Sequence, residues 1–184
     1  MADEKNNDKE LLKIFHNPDS KNYGFNLIVN KYKQRIYWHI RRMVITHDDA
    51  DDLVQNTFIK AWKSLENFRE ESQLYTWLYR IATNEALSFL NKKSKRFFIP
   101  IHDVERELSN YIDSDSLFTG DEIQKKLQKA ILTLPEKQRI VFNMKYFDEM
   151  KYEDMEEVLG TSVGALKASY HHAVKKIEKY FENI

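Results

Sequence analysis

The sequence has 184 residues, and its 29 Lys and Arg side chains balance 29 Asp and Glu, so the formal net charge is zero. This balance excludes a uniformly basic coat for nucleic acid and an acidic disordered tail. Cysteine is absent, which excludes disulfides and thiolate sites and favours a cytoplasmic protein, and no apolar run approaches the roughly 20 residues of a membrane span. Four Gly and three Pro are too few for turn-rich β-folds, so the composition predicts an all-α fold.

The first half of the chain divides into a polar N-terminal segment and a helical unit. Residues 1–21 carry mixed charge and do not resemble a signal peptide. Residues 22–96 are expected to form three amphipathic helices, because apolar side chains recur at helical spacing. Asp48 or Asp49 is expected to cap the second of these helices, and the third is expected to end at Asn91 before a basic run.

Charge is distributed unevenly along the rest of the chain. Residues 22–96 carry 13 basic and 8 acidic side chains, whereas residues 97–121 carry one basic and six acidic ones. The second stretch has little periodicity and is predicted to be an acidic linker with at most one short helical turn. Residues 122–184 regain helical periodicity and are expected to form a second unit of four helices.

The strongest local pattern lies at residues 152–176. A helix of about eight residues is followed by Gly160, which can adopt the left-handed conformation that ends a helix, and Thr161 or Ser162 can cap a longer helix. This order is typical of a DNA-binding helix-turn-helix, whose second helix enters the major groove. The alternative is an ordinary helical hairpin with a solvated polar face.

Two blocks of sequence resemble a known family. Pro135-Glu-Lys-Gln-Arg-Ile-Val-Phe142, Tyr152-Glu-Asp-Met-Glu-Glu-Val-Leu-Gly160 and Ser162-Val-Gly-Ala-Leu-Lys167 look like region 4 of a bacterial sigma factor. Asp48-Asp-Ala-Asp-Asp-Leu-Val-Gln-Asn-Thr-Phe-Ile-Lys-Ala-Trp62, and Tyr75-Thr-Trp-Leu-Tyr-Arg-Ile-Ala-Thr-Asn84 before a basic run, resemble region 2. The resemblance spans residues 22–182 and is to the extracytoplasmic-function (ECF) class of the sigma-70 family, with a softer likeness to its members from Bacteroidetes-type bacteria. It implies region 2 at 22–96, a linker at 97–121 and region 4 at 122–184.

In this family, region 2 docks on the clamp helices of the RNA polymerase β′ subunit. By motif match, the residues implied in core polymerase binding are Asp51, Asp52, Gln55, Asn56 and Lys60. Helix capping is the simpler reading of the aspartate run. A metal site is the other alternative, but the run lacks the glycine and the spaced oxygen ligands of a calcium loop.

Region 2 of the family also recognises and melts the −10 element. The residues implied in this step are Phe68, Tyr75, Trp77, Arg80, Asn84, Lys92, Lys93, Lys95 and Arg96. Aromatic and amide groups on a basic surface can take up unstacked bases, and the lysines and arginine can hold duplex phosphates. Tyr75 and Trp77 could equally belong to the core, whereas Phe68 stands in a polar connector, which favours a base contact.

Region 4 of the family reads the −35 element through its second helix. The residues implied here are Ser162, Lys167, Ala168, Ser169, His171, His172 and Lys175. Many members carry arginines along this helix, and this sequence has lysine, serine and histidine instead. Because arginine makes the best bidentate contact with guanine, a weaker or altered −35 preference is expected.

The partners implied by the resemblance are core RNA polymerase, through its β′ clamp helices and β flap, and promoter DNA. Anti-sigma proteins are frequent partners in the class, although no residue here demands one. The acidic linker could run along a basic path built for RNA or be a plain flexible tether. No cofactor, metal or catalytic residue is expected, and the competing hypotheses are a dimeric helix-turn-helix regulator and an enzyme using the histidines or aspartates.

Overall fold

The computed structural model describes residues 2–44, 46–97 and 122–183, and within these ranges the chain is all-α, as predicted. None of the described helices is both long enough and apolar enough to cross a bilayer. The elements in chain order are α1 (Ala2–His16), α2 (Lys21–Val44), α3 (His47–Ser64), a 3-10 turn (Leu65–Asn67), α4 (Leu74–Phe97), α5 (Glu122–Leu132), α6 (Glu136–Tyr146), α7 (Tyr152–Leu159) and α8 (Val163–Glu182).

Helix α1 lies in the segment that the sequence analysis set apart as merely polar. Its last two turns bury Leu11, Leu12 and Phe15 against the first unit, and Phe15 is only 1% exposed. On the same helix, Asp8 accepts a hydrogen bond from the hydroxyl of Tyr32 in α2, at 2.7 Å. The first unit therefore contains four α-helices rather than three.

Gly24 allows α1 and α2 to cross at very short range. A Cβ atom at this position would lie 2.5 Å from the backbone nitrogen of Phe15 and 2.9 Å from the carbonyl carbon of Ile14. Because these neighbours are backbone atoms, no side-chain rotation could relieve the overlap. Glycine at position 24 thus fixes how closely α1 packs.

Helices α2, α3 and α4 form the bundle that the periodicity predicts, with Ile36, Ala61 and Leu78 fully buried. Two details differ from the prediction. The N-cap of α3 is Thr46, and Asp48 and Asp49 stand in the first turn, so the expected aspartate cap is wrong. Helix α4 continues beyond Asn91 through the basic run to Phe97, as basic side chains are favourable at a helix C-terminus.

The second unit contains α5 to α8, and its local signals were predicted correctly. Gly160 adopts φ 61° and ψ 30° at the end of α7, and the side chain of Ser162 caps α8 by accepting from the Ala165 amide. Pro135 stands one residue before α6, at its N-cap position. Residues 98–121, including the predicted helical turn, lie outside the described residues.

The two units also pack on each other, which the sequence did not indicate. Helix α7 lies against α4, and α6 contacts α2. Met144, Met150 and Met155 of the second unit are at most 2% exposed and belong to the same hydrophobic cluster as the core of the first unit. The result is one continuous core across the boundary between the units.

Candidate functional site

The polar residues singled out on α3 share one face of that helix. Each of them is exposed or half-buried, and they follow one another at helical spacing: Asp51, Asp52, Gln55, Asn56 and Lys60. Lys60 pairs with Glu85 of α4, and Asp51 lies 3.4 Å from a ring nitrogen of His47. The face therefore mixes carboxylates, amides and a lysine, which suits a polar partner helix.

Ile59 lies on the same face of α3 and was not singled out from the sequence. Its side chain is 52% exposed among the polar residues. The sequence could have revealed that Ile59 is exposed, because its position on the helix falls outside the apolar stripe formed by Val54, Phe58 and Ala61. An exposed aliphatic group framed by polar ones is typical of the centre of a protein interface.

The residues around α4 divide into two sets that face different ways. Phe68 and Trp77 are half-buried and lie together, with ring centroids 5.2 Å apart, and Arg80 and Asn84 continue this stripe as exposed side chains. Tyr75 faces elsewhere, because its hydroxyl donates to a carboxylate oxygen of Asp154 in α7 at 2.8 Å. The structure thus joins four of the predicted residues and separates Tyr75 from them.

The basic end of α4 is only partly described. Lys92 is exposed, whereas the ammonium of Lys93 lies 3.2 Å from Asp49 at the start of α3 and 5.5 Å from the centroid of the Phe89 ring. The helix backbone includes Lys95 and Arg96, but their side chains lie outside the described part of the chain. The ion pair between Asp49 and Lys93 therefore joins the start of α3 to the end of α4, and Asp49 does not cap α3.

The residues predicted to read DNA form an exposed surface on α8. Lys167, Ala168, His171, His172 and Lys175 are exposed, Ser169 is half-buried, and the exposed Ser162 caps the helix. Beneath them, Leu166, Ala173 and Ile177 are buried. The ring centroids of His171 and His172 lie 6.0 Å apart, and among the described residues no cluster of His, Cys, Asp or Glu could hold a metal ion. This arrangement favours a binding surface over a catalytic or metal site.

Carboxylates of the second unit bond to polar groups of the first, and sequence reasoning missed this. Asp148, whose side chain is 6% exposed, lies 2.7 Å from the guanidinium of Arg42 and 3.1 Å from Nδ1 of His39, both in α2. Neither Asp148 nor Asp154 was singled out from the sequence as a contact between the units. No signal in the sequence relates them to α2 and α4.

The same contacts change the electrostatic environment of two tyrosines on α4. Burial, followed by the hydrogen bond to Asp154, raises the pKa of Tyr75 well above its ordinary value. Burial, followed by the nearby Asp148 carboxylate, likewise raises the pKa of Tyr79. A cavity of about 360 Å³ lies beside them, lined by residues of both units that include Arg35, Trp38 and Lys151.

Two family models match the chain, one for each helical unit. The model for sigma-70 region 2 matches residues 28–96, and the model for sigma-70 region 4 matches residues 124–177. These ranges contain α3, α7, all but the last residue of α4 and most of α8. The candidate surfaces described above therefore lie within the two matched ranges.

Proteins of known function match over nearly the whole length. The chain is 32% identical to the RNA polymerase sigma-H factor of Pseudomonas aeruginosa, over 94% of this chain and 92% of that protein. It is 30% identical to the ECF RNA polymerase sigma-E factor of Escherichia coli, with 93% and 92% covered, and 30% identical to the ECF sigma factor SigW of Bacillus subtilis, with 85% and 88% covered.

Solved structures share the fold. The sigma factor RpoE of Bartonella quintana, crystallised with the anti-sigma factor NepR, superposes with a TM-score of 0.68 at 22% identity, covering 86% of this chain and 96% of that one. CnrH, in complex with the cytosolic domain of CnrY, gives the same TM-score at 21% identity, covering 96% and 97%. With both regions present in order, and with ECF relatives matched along almost all of it, the chain belongs to the sigma-70 family as an ECF sigma factor, a protein that binds RNA polymerase and recognises promoters.

Proposed function

We propose that the exposed surfaces on α3, α4 and α8 have three separate roles in transcription initiation. Residues 22–96 act as region 2, with core-binding and −10 surfaces, and residues 122–184 act as region 4, with the −35 surface, joined by the acidic linker at 97–121. The observation that carries this proposal is that α3, α4 and α8 each present a separate polar face while their apolar faces are buried, those of α3 and α4 in one cluster and most of that of α8 in a second one. The chain acts by binding and has no catalytic step of its own.

The α3 face is proposed to bind the β′ clamp helices of core polymerase. Gln55 and Asn56 supply amide groups, Asp51 and Asp52 supply carboxylates for a basic partner, and Ile59 supplies an apolar contact. The apolar surface of the first helices of region 4 is proposed to receive the β flap. Since polymerase and chromosome share the bacterial cytoplasm, the chain is proposed to act there.

A matched pair of glutamines tests the α3 surface. Gln55→Ala should weaken binding to core polymerase roughly tenfold in a competition assay, whereas Gln34→Ala, an equally exposed change on α2, should leave it unchanged. Equal effects of the two substitutions, or none, would contradict the assignment of this surface.

The stripe formed by Phe68, Trp77, Arg80 and Asn84 is proposed to take up unpaired bases of the −10 element. Half-buried aromatic rings beside an exposed cation and an amide offer stacking together with hydrogen bonds. In open-complex assays, Asn84→Ala should reduce melting about tenfold at a matching promoter. Asn30→Ala on α2 is the control and should behave as wild type. If both variants melt the promoter equally well, the stripe does not hold bases.

The exposed face of α8 is proposed to bind the −35 duplex. Lys167 should contact phosphate or a base edge, so Lys167→Ala should lower the slope of log affinity against log salt by about one unit. Lys126→Ala on α5 should leave the slope as it is. An unchanged slope for Lys167→Ala would show that this lysine does not contact the DNA.

An anti-sigma partner belongs to the proposal as well, because the sigma factor RpoE of Bartonella quintana, which shares the fold, was crystallised with the anti-sigma factor NepR. A binding screen of the purified chain against candidate anti-sigma proteins from the same genome would test it. Inhibition of transcription by one of them at stoichiometric ratio is the expected result.

A further inference from the structure

The ring of Tyr152 contacts lysines from two other helices of the second unit. Tyr152 is the first residue of α7, and its side chain is half-buried against the core. The ammonium of Lys145, in the last turn of α6, lies 5.0 Å from the centroid of this ring, and that of Lys167, near the start of α8, lies 5.7 Å from it. Both distances are within the roughly 6 Å at which an aromatic ring attracts a cation. The ring therefore holds an exposed lysine of α8 against the start of α7.

Tyr152 is a fixed and uncharged support for Lys167. On one side of it, the ammonium of Lys145 donates a hydrogen bond to the carbonyl oxygen of Met150 at 3.1 Å, which ties the end of α6 to the segment before α7. Burial, followed by the nearby Tyr170, raises the pKa of Tyr152 above its ordinary value of 10.0. The phenol is therefore neutral near pH 7, and it attracts the ammonium of Lys167 through the face of its ring.

The place of this contact in the helix-turn-helix decides which part of DNA it faces. In such a motif the second helix enters the major groove, whereas the first helix crosses the sugar-phosphate backbone. Lys167 belongs to the second helix, α8, but its ammonium is held against the first residue of the first helix, α7. This position suits a backbone phosphate better than a base edge. A lysine that is already held in place also loses less side-chain freedom when it binds.

We propose that Tyr152 is a positioning residue for −35 binding, whose ring holds the ammonium of Lys167 in place for contact with a backbone phosphate. The inference rests on the proposed function, because it takes the exposed face of α8 to bind the −35 duplex. Since a phosphate contact carries no sequence information, the contribution of Tyr152 is the same at every −35 sequence. It acts through Lys167 and disappears when that lysine is removed.

A double-mutant cycle separates positioning from a merely structural role. The four proteins are wild type, Tyr152→Leu, Lys167→Ala and the double variant. Each is assembled with core polymerase and titrated with a fluorescent promoter fragment selected by the wild-type holoenzyme. Tyr152→Leu should weaken binding about two- to fivefold when Lys167 is present, and should have no effect on the Lys167→Ala protein. Tyr152→Phe, which keeps the ring, should bind as wild type does. Tyr180→Leu, which removes a half-buried ring at the far end of α8, should show no coupling to Lys167.

The outcomes distinguish this inference from the function on which it rests. If Lys167→Ala alone leaves the affinity unchanged, the −35 role of Lys167 is wrong and the positioning role is wrong with it. If Lys167→Ala weakens binding but Tyr152→Leu costs the same with and without that lysine, the −35 role stands and the positioning role is refuted. Coupling of Tyr180→Leu to Lys167 would refute it as well. A loss confined to one −35 sequence would assign Lys167 to a base edge and overturn the phosphate contact.

A measurement on the wild-type chain does not depend on any variant folding. In nuclear magnetic resonance spectra, the ring current of Tyr152 should move the ε-methylene protons of Lys167 upfield of their position in the urea-unfolded chain. Tyr152→Phe should keep this upfield shift. If the protons of Lys167 have the same chemical shift in the folded and the unfolded chain, the ring does not hold this lysine and the inference is overturned.

Discussion

Replacing Gly24 with alanine should detach or displace α1. The new Cβ would lie 2.5 Å from the nitrogen and 2.8 Å from the Cα of Phe15, so α1 would have to move about 1 Å to restore normal contact. Overpacking of this kind costs about 1–3 kcal/mol, and backbone atoms place this site at the upper end. Alanine recovers about 1 kcal/mol through its better helix propensity. We therefore expect a net loss of about 2 kcal/mol in the free energy of unfolding.

The assay is urea unfolding followed by circular dichroism, with hydrogen exchange of α1 as a local readout. Gly164→Ala is the matched control, because it places the same methyl group in α8 where no atom lies within 4 Å. That variant should be unchanged or up to about 1 kcal/mol more stable. Equal stability of Gly24→Ala and wild type, with α1 still protected from exchange, would refute the reasoning from close packing.

Three further outcomes can be measured on the purified chain. Glu149, at φ 52°, lies in the left-handed region, so Glu149→Gly should raise the free energy of unfolding by about 1 kcal/mol in urea titrations, and a loss of stability would contradict this. Ser162→Ala should lower that free energy by about 0.5–1 kcal/mol through loss of the cap on α8, whereas Thr161→Ala should have less effect. Tyr75 and Tyr79 have a folded-state pKa above the unfolded value of about 10. Their contribution to the free energy of unfolding is therefore complete below pH 10 and is lost as the pH rises from there towards the folded pKa. Absorbance at 295 nm should show these two tyrosines ionising only with unfolding, and early ionisation of all ten tyrosines would contradict the burial argument.

Periodicity predicted α2 to α8 because each of these helices buries one apolar stripe in the core. It did not reveal α1, since only Leu11, Leu12 and Phe15 near its end carry the pattern and the residues before them are polar. The end of α7 could also be predicted, because the left-handed conformation that closes this helix favours glycine, which stands at position 160. The aspartate cap of α3 was wrong because the helix already begins at His47, which leaves Asp48 and Asp49 inside its first turn.

The surfaces on α3 and α8 could be predicted because exposure follows from the same periodicity that defines the core. The contact between the regions could not be predicted in this way. Asp148 meets a partner 106 residues earlier in the chain, and Asp154 meets one 79 residues earlier. A carboxylate that will be buried by a distant helix has the same sequence pattern as one that will remain in water.

The packing of α7 on α4 also has a consequence for the order of synthesis. The ribosome completes α4 before it begins region 4, and at about 5–20 residues per second roughly 3–12 s pass before α7 has been added. During that interval no later part of the chain exists to cover α4. Every newly made molecule therefore passes through a stage in which the side of α4 that Asp154 later contacts is exposed, whereas the α3 face is exposed both before and after region 4 is added.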